Sequence, residues 1–154
     1  MSKEIERKFK IINDSYIAMA LKCHNIRQAY LDRDPKSTVR VRIKDDHAYI
    51  TIKGLTCGCE RDEWEYAIPM VDANEMINKC AGGIVIEKQR FIVEYDGFTW
   101  EIDVFHGCHE GLAVAEIELP SAETELKLPP FVGEEVTGDP RYYNSSLASC
   151  ADNP

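Results

Sequence analysis

The stretch Glu4-Ile5-Glu6-Arg7-Lys8-Phe9 alternates charged and apolar side chains almost from the start of the chain. Glu4, Glu6 and Lys8 fall on one face of an extended segment, and Ile5 and Phe9 fall on the other, with Arg7 as the exception. A period of two is the pattern of a β-strand, because successive side chains of a strand point to opposite sides. The stretch therefore predicts a strand whose polar face carries charges of both signs.

The same alternation recurs along most of the chain. Further segments of this kind lie at 26–31, 39–44, 49–53, 61–66, 84–94, 99–104 and 113–119. Turn sequences such as Tyr95-Asp96-Gly97 join several of them at short spacing. About eight strands with short connections predict an antiparallel sheet that closes into a barrel. We expect an α+β fold, mainly β: an eight-stranded antiparallel closed β-barrel with a charged interior, formed by residues 1–154 as a single domain.

A few flanking helices are predicted between and after the strands. The first spans about 71–80, with Asp72 as its N-cap and Gly82-Gly83 as its stop. A short helix is expected to begin at Ser121, and a last one at Asp139-Pro140, running to about 149. For the last helix two interpretations stay open: it gates one mouth of the barrel, or it only covers an apolar patch.

The polar faces are unusual because charges of the same sign stand at positions i and i+2. An ordinary solvated face, the usual explanation of alternation, would mix charges with Thr, Ser and Gln, since like charges repel. The pairs are Glu4/Glu6, Arg40/Arg42, Glu63/Glu65, Lys88/Arg90, Glu101/Asp103 and Glu116/Glu118. Burying an unpaired charge is costly, so an inward charged face must be wet and completed by ions and ligand.

The residue types indicate what such an interior binds. Paired carboxylates supply hard oxygen ligands for Mg²⁺ or Mn²⁺, while Arg and Lys bind phosphate oxygens. A polyphosphate with a bound divalent metal satisfies both sets. A non-catalytic polyphosphate-binding module remains an alternative, although a pure binder needs the cations and not so many metal ligands. A lipocalin-like carrier fits less well, because its barrel interior would be apolar.

The composition and net charge of the chain argue against some classes of binding partner. The 154-residue chain is 44% hydrophobic and has a formal net charge of -9, which argues against nucleic-acid and anionic-membrane partners. The N-terminus lacks the apolar core of a signal peptide, and no apolar run approaches the roughly 18 residues of a membrane helix. We therefore expect a cytoplasmic protein, either a monomer or a homodimer.

The six cysteines are expected to be reduced thiols in that compartment. Cys57-Gly58-Cys59 and His106-Gly107-Cys108-His109 raise the alternative of zinc. Their spacing matches no common zinc pattern, so the thiol interpretation is favoured.

The ordered motifs of the chain resemble the CYTH domain, the family of triphosphate tunnel metalloenzymes. Glu4, Glu6 and Lys8 form an E-x-E-x-K motif at the N-terminus, and the chain is most similar to short bacterial inorganic triphosphatases. Further matches follow in order: Q-x-Y-L at 28–31, R-x-R and T-x-K within 39–53, E-x-E at 63–65, K-x-R at 88–90, E-x-D at 101–103, E-x-E at 116–118 and a closing segment at 133–142.

The resemblance implies metal-dependent hydrolysis of inorganic triphosphate to pyrophosphate and phosphate, with nucleoside triphosphates as further substrates. Class IV adenylyl cyclase and thiamine triphosphatase are the alternatives within the family. The expected catalytic residues are Lys88, Tyr30, Glu4 and Glu6. The expected substrate-binding residues are Lys8, Arg40, Arg42, Lys53, Arg61, Lys88 and Arg90. The expected metal ligands are Glu4, Glu6, Glu63, Glu65, Asp103, Glu116 and Glu118, for Mg²⁺ or Mn²⁺.

Overall fold

Nine antiparallel strands build the sheet in a computed structural model of the chain, which describes residues 2–149. They are β1 (Ser2–Ile11), β2 (Lys22–Asp32), β3 (Thr38–Lys44), β4 (His47–Lys53), β5 (Glu60–Ile68), β6 (Ile86–Tyr95), β7 (Phe98–Phe105), β8 (Ala113–Glu118) and β9 (Val132–Glu135). The order is β5-β4-β3-β2-β6-β7-β8-β1-β9, and β1 also pairs with β5. That pairing closes eight strands into a barrel, which confirms the predicted fold. The additional strand, β9, extends the edge of β1.

The strand register gathers the charged positions on the inner face. Lys8 lies opposite Glu116, and Arg90 lies opposite Asp103. Directly opposed residues on neighbouring strands share one face of the sheet. The charged side chains of successive strands therefore form one continuous inner surface, and the apolar side chains at the alternate positions face outward.

Apolar outer faces are covered in two different ways. The helix α2 (Met70–Cys80) lays Ala73 and Ile77 over Ala29 and Val41, as expected for a flanking helix. On the opposite side, the four-residue helix α1 (Tyr16–Met19) and the irregular segment 119–131 cover the fully buried Trp100.

The predicted helices need correction at several points. Helix α2 begins at Met70 after Pro69 as N-cap, so Asp72 stands in its first turn instead of capping it. No helix begins at Ser121, which forms only a turn with Thr124. Asp139 caps a helix as predicted, but this is a single 3₁₀ turn at Pro140–Tyr142.

In place of the last predicted helix, the structure has turns whose backbone carbonyls bind groups of the barrel and its loops. Tyr142 O accepts from the Lys8 ammonium, Leu147 O lies 2.6 Å from His109 Nε2, and Ala148 O accepts from Ile84 N. Of these three carbonyls, only Tyr142 O would have accepted an i→i+4 bond in a continuous helix, from Ser146 N, and Ser146 N instead donates to Tyr143 O at 3.0 Å. The segment instead folds as successive turns over one barrel end.

Cys23, Cys57, Cys59 and Cys80 are free thiols, as expected. The expectation is wrong for Cys108, which is disulfide-bonded. Cys150 lies outside the described residues. Within residues 2–149, no helix is long and apolar enough to cross a membrane.

Candidate functional site: a charged tunnel

A cavity of about 290 Å³ lies inside the barrel and is lined mainly by charged side chains. Most predicted site residues meet there: Glu4, Glu6, Lys8, Tyr30, Arg40, Arg42, Lys53, Arg61, Glu63, Glu65, Arg90, Glu116 and Glu118. Lys88 and Asp103 lie behind this lining, fully buried. The sequence pattern therefore predicted which residues form the cavity wall. The structure adds that Lys88 and Asp103 do not line the cavity but support the residues that do.

One wall of the cavity carries a surplus of positive charge. Arg40 and Arg42 project from β3, and Arg90 projects from β6. Burial, followed by the neighbouring Arg40 and Arg90 guanidinium groups, lowers the pKa of Arg42 to about 9. Arg42 Nε donates to the neutral Gln28 Oε1 at 2.9 Å. Repulsion among guanidinium groups is relieved when an anion binds between them, so this wall is suited to phosphate.

The facing wall carries a surplus of negative charge from β1 and β8. The pKa of Glu6 is raised well above its ordinary value by burial, then by Glu116 and Glu4. Burial also raises the pKa of Glu118, and Glu4 and Glu6 add to the shift. Carboxylates that repel one another in this way are stabilised by a bound cation.

Two lysines stand among these carboxylates. Lys53 Nζ lies 3.1 Å from Glu4 Oε2 and 3.4 Å from Glu63 Oε2, and Lys8 Nζ lies 3.2 Å from Glu116 Oε1. Although burial opposes it, the Lys8 ammonium holds the pKa of Glu116 at about 2. Among the described residues, no group of three or more His, Cys, Asp or Glu side chains is already arranged around an ion position.

Two carboxylate oxygens are nevertheless left without a hydrogen bond. Glu4 Oε2 and Glu116 Oε1 are buried and, among the described residues, have ion-pair contacts but no hydrogen-bond partner. Buried carboxylate oxygens in need of a partner are suitable ligands for a hard divalent cation. The donor chemistry of this wall therefore fits the predicted ion.

Lys88 and Asp103 support the cationic wall from behind. Lys88 Nζ donates to Asp103 Oδ2 at 2.7 Å, and Arg90 binds both oxygens of the same carboxylate. Although burial opposes it, Arg90 and Lys88 hold the pKa of Asp103 well below its usual range. Burial, with Arg90 and Arg42, lowers the pKa of Lys88 to about 7. A metal role for Asp103 stays a prediction, and in this arrangement its oxygens are engaged by cations.

The remaining predicted residues occupy the cavity rim and one barrel end. Arg61 donates to Gly54 O and Thr38 Oγ1, beside the loop between β4 and β5. Glu65 accepts from Thr51 Oγ1 and lies 3.6 Å from Arg40 Nη2. Tyr30 both lines the cavity and packs in an apolar cluster with Tyr142 and Leu147 of the C-terminal segment, residues 139–149.

Sequence reasoning missed several polar groups that hold the cations. Gln28 and Thr51 bind Arg42 and Arg40, and both share the inward parity of their strands, which is the signal that could have found them. Asn144 contacts Lys88 from the C-terminal segment, where no periodic pattern marks it.

The chain resembles proteins of known type over almost its full length. Residues 2–143 match the CYTH domain family. An inorganic triphosphatase of Acetivibrio thermocellus is 48% identical over 147 residues, covering 96% of this chain and 94% of the relative. An inorganic triphosphatase of Nitrosomonas europaea is 34% identical over 149 residues, covering 94% and 96%. The crystal structure of the inorganic triphosphatase NE1496 superposes with a TM-score of 0.66 at 33% identity, covering 94% of this chain and 97% of that one.

Proposed function

The chain belongs to the CYTH domain family, and we propose that it hydrolyses inorganic triphosphate to pyrophosphate and phosphate in the tunnel of its barrel, with a divalent cation bound. Two relatives named inorganic triphosphatase, at 48% and 34% identity, support this activity. The observation that carries the proposal is the pairing of two oppositely charged walls in one cavity. A linear polyphosphate bound to a divalent cation is complementary to both walls at once.

Divalent cation use is general in this family, and the residues of the acidic wall fit it. Glu4, Glu6, Glu116 and Glu118 would hold the ion, because their charges repel one another and two of their oxygens need partners. Glu63 and Glu65 are second candidates on β5. Hard carboxylate donors suit both Mg²⁺ and Mn²⁺. When bound, such an ion supplies Lewis acidity that neutralises phosphate charge and lowers the pKa of bound water.

The cationic wall binds the phosphates and neutralises their charge. Phosphoryl transfer needs positioning and charge neutralisation more than covalent help from the protein. Arg40, Arg42 and Arg90 bind the phosphate oxygens, where a guanidinium can contact two oxygens together. Thr51, Gln28 and Asp103 hold these three guanidinium groups in place, so little reorganisation is needed as charge shifts to the leaving pyrophosphate.

The predominantly charged lining favours inorganic triphosphate over the family alternatives. An adenylyl cyclase or a thiamine triphosphatase must also hold an organic group beside the triphosphate. At one barrel end that space is occupied by the C-terminal segment, whose Tyr142 and Leu147 are buried against Tyr30. Nucleoside triphosphates are therefore expected to be poorer substrates than tripolyphosphate.

A substrate panel tests this proposal. Tripolyphosphate, ATP and thiamine triphosphate are incubated with Mg²⁺ or Mn²⁺, and the products are separated by ion chromatography. We expect equal amounts of pyrophosphate and phosphate from tripolyphosphate, at a higher rate than release from ATP. Tight binding of tripolyphosphate without any product would instead identify a polyphosphate-binding module.

Cytoplasmic location, the absence of nucleic-acid and membrane partners, and a monomeric or homodimeric state stay predictions of the sequence. Size-exclusion chromatography with light scattering would decide the oligomeric state.

A further inference from the structure

Asn144 contacts the buried lysine of the tunnel from outside the barrel strands. Its Oδ1 accepts a hydrogen bond of 3.0 Å from Lys88 Nζ and a weaker one of 3.4 Å from Gln28 Nε2. The Lys88 ammonium thus has two acceptors, Asp103 on β7 and Asn144 on the C-terminal segment. Asn144 also lines the cavity, so it stands between the supporting lysine and the space for substrate.

The backbone on both sides of Asn144 is anchored, which fixes the position of its amide. Before it, Tyr142 is buried and its carbonyl accepts from Lys8. After it, Leu147 is fully buried and the carbonyl of Ala148 accepts from Ile84 N. At Gly83 a Cβ atom would lie 2.6 Å from Ala148 O, so the close approach of the segment requires glycine there. An amide held in this way can direct a neighbouring group.

The two acceptors together define where the Lys88 ammonium points. A lysine ammonium has three N–H donors, and two of them are used by Asp103 and Asn144. The Lys88 side chain is fully buried behind the cavity lining, so the ammonium acts on the cavity through these two partners. With Asp103 alone, the flexible lysine stem could rotate about a single contact. The second acceptor therefore restricts the ammonium to one orientation.

We propose that Asn144 is a positioning residue for triphosphate hydrolysis, which holds the Lys88 ammonium against Asp103 and thereby fixes Arg90, the cavity-lining cation bound to the same carboxylate. This inference rests on the proposed function. It assigns to the C-terminal segment a part in the reaction itself, in addition to covering one end of the barrel. A hydrogen bond to a charged group is worth enough to change a rate about tenfold or more when it is lost.

Kinetics of three variants test the proposal. Asn144→Leu keeps the size of the side chain and removes the acceptor, and Asn144→Asp keeps an acceptor oxygen at the same place. Ser146→Ala is the control, since it lies on the same segment outside the cavity lining. We expect Asn144→Leu to lower kcat for tripolyphosphate about tenfold or more, with KM changed less than kcat. We expect Asn144→Asp to stay within about threefold of wild-type kcat, and Ser146→Ala to match the wild type.

The possible outcomes separate this inference from the function on which it rests. A wild-type kcat in Asn144→Leu, or equal losses of kcat in the leucine and aspartate variants, would overturn the positioning role. The proposed function would still stand in either case if the wild type hydrolyses tripolyphosphate. A wild type that does not hydrolyse tripolyphosphate with either ion would overturn both. If Asn144→Leu does not fold, as judged by its melting transition, Asn144→Ala removes the same acceptor without adding apolar bulk and decides the question.

Discussion

Lys8 Nζ donates a hydrogen bond of 2.8 Å to the backbone carbonyl of Tyr142, 134 residues further along the chain. This contact joins the first strand of the barrel to the last described segment. The position of the Lys8 ammonium in the tunnel therefore depends on residues that are distant in sequence. The C-terminal segment is thus part of both the core and the site.

Leu147→Ala should destabilise the protein by about 3 kcal/mol, because Leu147 is fully buried and its loss leaves a cavity beside Tyr30 and Phe105. Urea unfolding followed by circular dichroism measures the change. Ser146→Ala, its neighbour, should remain within about 0.5 kcal/mol of the wild type. Equal stabilities of the two variants would mean that the segment does not pack as described.

Truncation after Gly138 separates the two interpretations of this segment. If it gates the tunnel, the shortened chain should accept ATP better relative to tripolyphosphate. If it only covers an apolar patch, stability should fall and the substrate ratio should not change. The buried positions of Tyr142 and Leu147 lead us to expect a loss of stability.

Asp103→Asn should destabilise the protein by about 3 kcal/mol. The change leaves Lys88 and Arg90 buried without their shared carboxylate, and an uncompensated buried charge is strongly unfavourable. The measurement is the free energy of unfolding in urea at neutral pH. Glu101→Gln is the matched control, since Glu101 also contacts Arg90 but is 36% exposed, and it should lose less than about 1 kcal/mol.

Glu6→Gln should abolish turnover and make stability less dependent on pH. Because the pKa of Glu6 is raised by folding, the folded state holds this proton more tightly than the unfolded chain. The contribution of Glu6 to stability is therefore present below its ordinary pKa near 4.5 and is lost as the pH rises through the raised value. Relative to the wild type, the variant should gain stability between pH 4 and pH 8.

Thermal unfolding at both pH values checks this expectation, with the exposed Glu75→Gln as the control. Glu75 lies on α2, outside the cavity lining, so its variant should keep both the wild-type pH dependence and turnover. Near-wild-type turnover of Glu6→Gln at saturating Mg²⁺ would show that Glu6 is not a metal ligand.

Tripolyphosphate with Mg²⁺ should raise the melting temperature of the protein strongly. A ligand at a hundred times its dissociation constant adds about 2.7 kcal/mol, which is on the order of 5–10 °C for a chain of this size. Arg42→Met should be at least as stable as the wild type without ligand, since burial and two guanidinium groups disfavour the Arg42 charge. Its ligand-induced shift should be smaller at the same concentrations.

Differential scanning fluorimetry with and without tripolyphosphate and Mg²⁺ measures both effects. Lys79→Met, on the exposed end of α2, controls for the loss of one positive charge and should keep the full shift. An unchanged wild-type melting temperature would contradict an interior ligand site.

Most of the barrel could be predicted because alternation fixes both the strand and the face of each residue. The alternation that places Arg40 and Arg42 inward, for example, also places Val41 between them on the outer face, under α2. The short elements α1 and β9 could not be predicted, since four residues are too few to show a period. The contact of Asn144 with Lys88 could not be predicted either, because it depends on a segment of turns whose position is set by tertiary hydrogen bonds.

The central claim is that the two charged walls hold a divalent cation and a linear triphosphate for hydrolysis. Its most direct test is phosphate release by the wild type from tripolyphosphate and from pyrophosphate, each with Mg²⁺ and with EDTA. The account predicts fast release from tripolyphosphate with Mg²⁺, much slower release from pyrophosphate, whose two phosphates leave part of the cationic wall unmatched, and none in EDTA. Equal cleavage of pyrophosphate, or full activity in EDTA, would contradict it.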